Sequence, residues 1–201
     1  RANTPHELRW PFNTQWALAA WRTLYFKPEP FEPQAQQSPA YNRGAYLVQG
    51  LGHCSACHAA RNVLGASNPL DLAGGLIPMQ NWYAPSLTDA RQAGLMDWPL
   101  ADIVALMQTG VSPRGSVQGP MAEVVLHSTQ HLSDQDLAAM AVFLKSLPPA
   151  PVARASTAVA GRPLAAGAKL YEQHCAQCHG DQGQGVPGAY PALAGNRAVT
   201  M

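Results

Sequence analysis

The pentapeptides Cys54-Ser-Ala-Cys57-His58 and Cys175-Ala-Gln-Cys178-His179 are two copies of one pattern, Cys-x-x-Cys-His, and they contain all four cysteines of the chain. This pattern attaches c-type haem, because two thiols three positions apart can each form a thioether with one vinyl group of the porphyrin. The histidine beside the second thiol can then reach the iron through Nε2 as the proximal ligand. The chain is therefore predicted to bind two haem c groups covalently, with His58 and His179 as iron ligands.

Other uses of paired cysteines fit the sequence less well. A four-cysteine zinc ribbon separates its Cys-x-x-Cys pairs by about 15–20 residues, whereas 117 residues lie between Cys57 and Cys175. A thioredoxin-like site needs its cysteine pair inside a βαβ unit, and no strand pattern surrounds either copy. A disulfide within Cys-x-x-Cys closes too small a loop to stabilise a fold. None of these alternatives explains a histidine directly after both pairs.

The composition indicates domains built around a cofactor and makes nucleic acid an improbable partner. Charged residues are 12% of the 201 residues, against about 25% in an average soluble protein. The 18 prolines are roughly twice the usual ~5% share, which predicts many turns. A porphyrin would supply apolar surface that side chains otherwise provide. The formal charge of +1 says little about partners, whereas the absence of a basic patch with interleaved aromatics argues against nucleic-acid binding.

The ends of the sequence suggest a fragment. There is no run of eighteen apolar residues, so no membrane span is predicted. There is also no signal peptide, although haem c is attached outside the bacterial cytoplasm, so we expect the signal to have been removed or the start to be missing. Arg1 and Met201 begin and end the chain abruptly.

Residues 1–37 form a leader segment with a helix of its own. Asn13 or Thr14 can cap a helix of about three turns that ends before Pro28. Three of the five tryptophans lie in this segment. Such an aromatic helix could lie at a membrane interface, but packing on a neighbouring domain or subunit is the preferred interpretation.

Residues 38–149 are predicted to form one complete all-α haem domain. Its helices run from about Pro39 into the first motif, over 100–109 before Gly110, and from Ser133, whose hydroxyl and Asp136 form a capping box, to Pro148. The apolar stripe of the last helix consists of Leu137, Met140, Ala141, Leu144 and Leu147. A Pro- and Ala-rich linker follows over 150–163.

Residues 164–201 begin a second, related domain. Gly167-Ala-Lys-Leu170 precedes the second motif as Gly44-Ala-Tyr-Leu47 precedes the first, with two extra residues in the first copy. Only 22 residues follow His179, which are too few to surround a haem and supply a last helix. This domain is therefore expected to be truncated.

The best candidate for the distal iron ligand of the first domain is Met121, which follows Gly119-Pro120 in a predicted loop before the last helix. Met107 and Met140 lie on helix stripes and are assigned to the core, whereas Met79 and Met96 come too early in the domain. The alternatives are bis-histidine ligation by His127 or His131, an open site or another methionine. In the second domain the ligand is Met201 or a residue beyond the fragment.

Several other residues are candidates for contacts around the haems. A carbonyl at Pro191 could accept the Nδ1–H of the second proximal histidine and so fix its tautomer. Four residues of the first domain are candidate propionate or ring contacts, with ordinary packing as the alternative: Arg61, Trp82, Tyr83 and Trp98.

Six segments together resemble the cytochrome c subunit of bacterial membrane-bound alcohol, gluconate, sorbitol and aldehyde dehydrogenases. They are Trp21-Arg-Thr-Leu-Tyr-Phe26, Asn42-Arg-Gly-Ala-Tyr-Leu-Val-Gln-Gly-Leu-Gly-His-Cys54, Arg61-Asn-Val-Leu-Gly65, Asn81-Trp-Tyr-Ala-Pro85, Gly119-Pro-Met-Ala-Glu-Val-Val125 and Ser128-Thr-Gln-His-Leu132. The resemblance implies class I c-type cytochrome domains, of which this chain would hold the second and the start of the third of three, with Met121 as a distal ligand. It also implies a periplasmic protein anchored near its C-terminus.

The resemblance implies an electron-transfer subunit without substrate chemistry of its own. It would pass electrons from a catalytic quinoprotein or flavoprotein subunit at the membrane periphery to ubiquinone. Two alternatives remain open. A di-haem peroxidase needs an open iron and acid–base groups, for which His127, His131 and Glu123 are candidates. A soluble di-haem shuttle needs no fixed partner.

Overall fold

The computed structural model describes residues 5–68, 70–77, 80–90, 92–150, 165–186, 189–190 and 192–194. The chain divides into two compact units, residues 1–33 and 34–201. Next to the boundary, the Asn42 side chain accepts from Gln34 N at 2.8 Å and donates to Gln34 O at 3.0 Å. Residues 151–163 of the predicted linker lie outside the described residues.

Among residues 5–33, the described part of the first unit, there is one helix, α1 (Gln15–Tyr25). Thr14 is the N-cap, as predicted, and its hydroxyl accepts a hydrogen bond from Ala17 N at 3.3 Å. No residue of α1 is buried, and Trp16 is 87% exposed. Among the described residues of the whole chain, no helix combines the length and the apolar character needed to cross a bilayer.

The second unit begins with α2 (Pro39–Tyr46), which Ser38 caps by accepting from Tyr41 N at 3.1 Å. The helix continues without a break as a π-helical turn over Leu47–Leu51. In this turn Gly52 N bonds Leu47 O, and Cys54 N bonds Val48 O six residues back. A π turn accommodates inserted residues within a helix and is frequent at functional sites. The two extra residues before the first motif are therefore absorbed here.

The last helix of the domain, α6 (Asp134–Ser146), crosses α2 at Gly44. An ideal Cβ on Gly44 would lie 2.0 Å from Ala139 O and 2.8 Å from Phe143 Cβ. The two backbones thus approach as closely as only glycine permits. Sequence analysis assigned Leu137, Met140, Ala141, Leu144 and Leu147 to the apolar stripe of this helix but missed Ala139 and Phe143, both of which are buried.

Side chains reinforce the contact between α2 and α6. The rings of Tyr41 and Phe143 meet edge to face with centroids 5.3 Å apart. The Arg43 guanidinium donates to both carboxylate oxygens of Asp136, at 2.7 and 2.9 Å. This hydrogen-bonded pairing lowers the pKa of Asp136. The predicted cap is also present, since Ser133 Oγ accepts from Asp136 N at 3.2 Å.

Two further helices lie between the first motif and α6 in the sequence. Helix α4 (Leu100–Thr109) has the predicted bounds and ends at Gly110, which adopts a left-handed conformation with φ of 79°. Helix α5 (Pro120–His127) occupies the segment predicted as a loop. Thr129 follows in a 3₁₀ turn over Thr129–His131, and its buried hydroxyl donates to Met107 O. Met107 and Met140 are buried, as expected for core residues.

Two short antiparallel strand pairs depart from the all-α prediction. Strand β1 (Gly75–Ile77) pairs with β2 (Trp82–Ala84), and β3 (Val111–Ser112) pairs with β4 (Gly115–Ser116). Strands of two or three residues carry too few side chains to show an alternating pattern, so they could not be predicted from the sequence. The domain is thus mainly helical with two small β-hairpins.

The remaining helices carry the cysteine motifs. Helix α3 (Ser55–His58) lies within the first motif, and α8 (Ala176–His179) lies within the second. Helix α7 (Ala165–His174) leads directly into the second motif, and Cys175 N bonds Tyr171 O four residues back at 2.8 Å. This regular α-helical hydrogen bond reaches four residues back, whereas the bond from Cys54 N reaches six residues back. The difference corresponds to the two residues fewer that precede the second motif.

We expect Gly44→Ala to destabilise the holoprotein by about 1–3 kcal/mol or more, the usual range for overpacking a core, because the new methyl group would meet the Ala139 carbonyl. Gly50→Ala is the matched control, since a Cβ at Gly50 would meet nothing within 4 Å. Urea unfolding of the two variants provides the measurement. Equal stability of the two variants would contradict the close contact.

Candidate functional site

The first site is organised around His58, which two backbone hydrogen bonds hold in place. The ring Nδ1 lies 2.8 Å from the Pro85 carbonyl oxygen. The main-chain oxygen of His58 accepts from Gly74 N at 2.7 Å. Both partners lie in the loop that follows the motif, so one segment braces the ring and the backbone of this histidine together.

The hydrogen bond to Pro85 determines the tautomer of His58. A carbonyl oxygen can only accept, so Nδ1 must carry the proton, and the lone pair of the neutral ring is then on Nε2. Burial lowers the pKa of His58 and outweighs the opposing effect of the Pro85 carbonyl. The histidine is therefore held neutral with Nε2 free to coordinate a metal, and a carbonyl at Nδ1 raises the basicity of such a ligand.

The thiols of the first motif lie at the start and in the middle of the turn that ends with His58. Burial raises the pKa of Cys54 to about 11, and the nearby Cys57 contributes further. A desolvated position suits an uncharged sulfur, such as the thioether formed on haem attachment, better than a thiolate. The two thiols and the neutral imidazole thus match the donor set that haem c requires.

Close backbone packing holds the bracing loop against the motif. A Cβ on Gly75 would lie 2.4 Å from Ala59 O, and one on Gly74 would lie 2.8 Å from Ser86 N. Gly74 also has φ of 87°, which side chains other than glycine rarely adopt. The Gln92 side-chain oxygen accepts from Ser86 N at 2.8 Å and from the Tyr83 hydroxyl at 3.1 Å. Tyr83, in strand β2, thus shares the Gln92 side chain with the segment that presents Pro85.

Arg61 closes a second loop beside the motif. Its guanidinium donates to Gly65 O at 2.9 Å and to Ala56 O at 2.7 Å. The Asn62 side chain accepts from the backbone of residues 64 and 66 within the same loop. These bonds give Arg61 a structural role next to the motif, and its contact with a propionate stays a prediction.

Met121 lies in the first turn of α5 and is half-buried. It therefore begins a helix instead of lying in the predicted loop, because Pro120 is well suited to the first helical position. The preceding Gly119 packs against the Trp82 indole, since an ideal Cβ on it would lie 2.6 Å from Trp82 Cζ2. Trp82 thus lies against the residue two positions before Met121. The role of Met121 as an iron ligand stays a prediction.

The remaining candidate residues of the first domain lie against the core, at exposed positions or outside the described residues. Trp98 packs against the hydrophobic core, and its carbonyl accepts from Lys145 Nζ. His127 and His131, the alternative ligands, are exposed. Met96 is 45% exposed, and Met79 lies outside the described residues.

The second motif repeats the bracing of the first with a shorter loop. Gly185 N donates to His179 O at 2.7 Å, as Gly74 N does to His58 O. Tyr190 lies edge to face with the His179 ring, with centroids 5.9 Å apart, and a hydrogen bond with Cys178 raises the pKa of Tyr190. Pro191 and Met201 lie outside the described residues, so the predictions for them stand as made.

The sequence did not reveal several residues of these sites, among them Pro85 and Tyr190. A signal for Pro85 was present, since Tyr83-Ala-Pro-Ser-Leu87 resembles Tyr190-Pro-Ala-Leu193. The carbonyl function assigned to Pro191 could have been transferred to Pro85 on that basis. For Tyr190 only its position near the motif was available, and ring contacts cannot be deduced from spacing.

Comparison with known proteins agrees with this chemistry. The family model described as Cytochrome c matches residues 41–148 and 164–201. The chain is 38% identical, over 96% of its length, to the alcohol dehydrogenase (quinone), cytochrome c subunit, of Gluconacetobacter polyoxogenes, of which it covers 45%. It is 34% identical, over 96% of its length, to the gluconate 2-dehydrogenase cytochrome c subunit of Pantoea cypripedii, of which it covers 48%.

A third relative is named a diheme cytochrome c-type protein and comes from Cereibacter sphaeroides. It is 39% identical over 74% of the chain, which covers 49% of it. The chain therefore spans about half the length of the curated relatives that it matches. The family model covers most of the chain, including both Cys-x-x-Cys-His motifs, and the family binds haem c covalently. On these grounds the chain belongs to the cytochrome c family.

Proposed function

We propose that the chain is the electron-transfer part of a dehydrogenase complex and has no substrate chemistry of its own. The observation that carries the proposal is the two-sided hold on His58, by Gly74 N at its carbonyl and by Pro85 O at its ring. A redox ligand that is already oriented and neutral needs little rearrangement when an electron arrives or leaves. Together with the two thiols of the motif, it suits a permanently bound redox centre.

Different side chains of the first domain would attach such a centre and ligate its iron. Cys54 and Cys57 would attach haem c through thioethers, and His58 would supply the proximal nitrogen. Met121 would supply a thioether as the distal ligand, which favours the reduced iron and raises the potential relative to a second imidazole. Haem c supplies the one-electron chemistry when bound. Ligation on both sides by protein groups would leave no position for a substrate.

The second motif would hold a second haem in the same manner. His179 has the same backbone bond from Gly185 that His58 has from Gly74, which supports an equivalent role. The cofactor-binding residues would be Cys175 and Cys178, with His179 as the proximal ligand. Residues 38–149 would form a complete class I domain and residues 164–201 the start of another. The distal ligand of the second haem would be Met201 or a residue of a longer chain.

The partners are proposed from the names of the relatives, which are cytochrome subunits of alcohol and gluconate dehydrogenases. The chain would accept electrons from a catalytic quinoprotein or flavoprotein subunit and pass them towards ubiquinone. Because haem c is attached outside the cytoplasm, the protein would act in the periplasm at the membrane periphery. Three haems in the full-length subunit would then form a chain of redox centres.

The number of haems can be measured directly. We expect the wild-type chain, matured with its haem, to give two haems per polypeptide by pyridine haemochrome assay and mass spectrometry. Replacing Cys54 and Cys57 by serine should leave one haem, and replacing Cys175 and Cys178 should also leave one. A wild-type protein with one haem, or unchanged loading of either variant, would contradict the assignment of both motifs.

Removal of the distal thioether tests the ligand of the first haem. We expect Met121→Ala to lower the midpoint potential of one of the two haems and to let that haem bind carbon monoxide when reduced, because the sixth position opens. Met96→Ala is the matched control, since this methionine is partly exposed in a loop. Unchanged redox titration and carbon monoxide binding in the Met121 variant would exclude Met121 as the ligand.

The partner can be identified from membranes of a host that expresses the full-length protein. We expect it to co-purify with a large dehydrogenase subunit, and ethanol or gluconate to reduce its haems in the complex. A water-soluble ubiquinone analogue should then reoxidise them. Recovery without any dehydrogenase would support a free di-haem shuttle instead, and turnover of hydrogen peroxide with a reduced cytochrome would support a peroxidase.

A further inference from the structure

We infer that Trp82 is a positioning residue for the distal ligand, because its indole supports the Gly119-Pro120 turn from which the Met121 helix begins. This inference rests on the proposed ligation by Met121. The sequence predicted a contact of Trp82 with the cofactor, with ordinary packing as the alternative. The structure places its indole against Gly119, two residues before Met121, and that contact carries the inference.

The contact between Trp82 and Gly119 leaves no space for a side chain. An ideal Cβ on Gly119 would lie 2.6 Å from Trp82 Cζ2, and 2.7 Å from both Cε2 and Cη2. Such distances are far below van der Waals contact, so the indole lies directly against the glycine backbone. Gly119 also has φ of 54° and ψ of −133°, a conformation that favours glycine. Both the backbone conformation and the neighbouring ring therefore require glycine at this position.

The same strand that carries Trp82 also reaches the proximal histidine. Trp82 begins β2, and Pro85, which accepts from His58 Nδ1, follows directly after the strand ends at Ala84. The pairing of Ala84 with Gly75 ties this strand to the segment whose Gly74 N holds the His58 carbonyl. One short hairpin thus contacts the proximal ligand at one end and the turn before Met121 at the other.

The consequence concerns how firmly Met121 is held. Pro120 and Met121 follow Gly119 directly, so a turn that loses its support at Gly119 gains freedom at the next two residues. The buried Val125 fixes the body of α5 but lies a full turn further along the helix. Loss of the indole should therefore loosen the first turn of α5 before it affects the rest of the domain. An external ligand displaces a loosely held thioether from the iron more readily.

The test measures how easily imidazole displaces the distal ligand in the oxidised, full-length holoprotein. We expect Trp82→Leu to raise the imidazole affinity of one haem about tenfold, which corresponds to about 1.4 kcal/mol. The far-red charge-transfer band of methionine-ligated ferric haem should weaken in parallel. Trp82→Phe keeps a ring and should have a smaller effect, and it remains informative if the leucine variant folds poorly. Trp16→Leu, in the leader helix, is the control for loss of a tryptophan.

A double-mutant cycle isolates the contact itself. Gly119→Ala should also raise imidazole affinity, because the new methyl group meets the indole and the backbone is strained. In the Trp82→Leu background only the strain remains, so the same substitution should have a smaller effect. Fully additive effects of the two substitutions would overturn the inference, because they would show that Trp82 and Gly119 act independently.

The outcomes separate this inference from the proposed ligation. If Met121→Ala leaves the far-red band and imidazole affinity unchanged, the ligand assignment itself is wrong. If Met121→Ala changes both but Trp82→Leu changes neither, Met121 is the ligand and Trp82 does not position it. If Trp82→Leu shifts only the midpoint potential, the indole acts on the cofactor alone and the positioning role is excluded.

Discussion

The close contact of two helices at Gly44 is the constraint on which the haem domain depends. Because Gly44 has no side chain, the backbone of α2 can lie against Ala139 of α6, and the first and last helices of the domain are joined there. Tyr41 with Phe143 and Arg43 with Asp136 flank this contact. The contact closes a large part of the chain into one domain, and α2 leads through the π turn directly into the first cysteine motif.

Within this domain, backbone groups supply the hydrogen bonds that position the candidate iron ligand His58. His58 is held by a carbonyl and an amide of the following loop, and glycines at 74 and 75 let that loop approach the motif. Backbone groups are well suited to this task because they cannot change charge or rotamer during a redox cycle. The hydrogen bond from Gly185 N to His179 O repeats the backbone half of this arrangement with a shorter loop. The two motifs thus share a bracing scheme although the loops that supply it differ in length.

Much of the fold could be predicted because the signals were local. Thr14, Ser133 and Gly110 are cap residues whose chemistry ends or begins a helix wherever it occurs, and each lies where it was expected. Elements without a strong local signal were missed. The two β-hairpins are too short for a period of two to be visible, and α5 begins at a proline that was taken as part of a loop. Ala139 and Phe143 were not predicted as core residues because they pack against Gly44, on a helix nearly a hundred residues earlier in the chain.

The sequence by itself determined the chemistry of the protein: two Cys-x-x-Cys-His motifs, the covalent cofactor that they imply, and the family. These follow from residue types at fixed short spacings, which no tertiary arrangement can alter. Only the tertiary structure decided what surrounds them. That Pro85 accepts from His58, that Trp82 lies against Gly119 and that a π turn absorbs two extra residues depend on which backbone segments meet in space. Each of these arrangements involves backbone groups, which every residue carries, so residue identity alone could not reveal them.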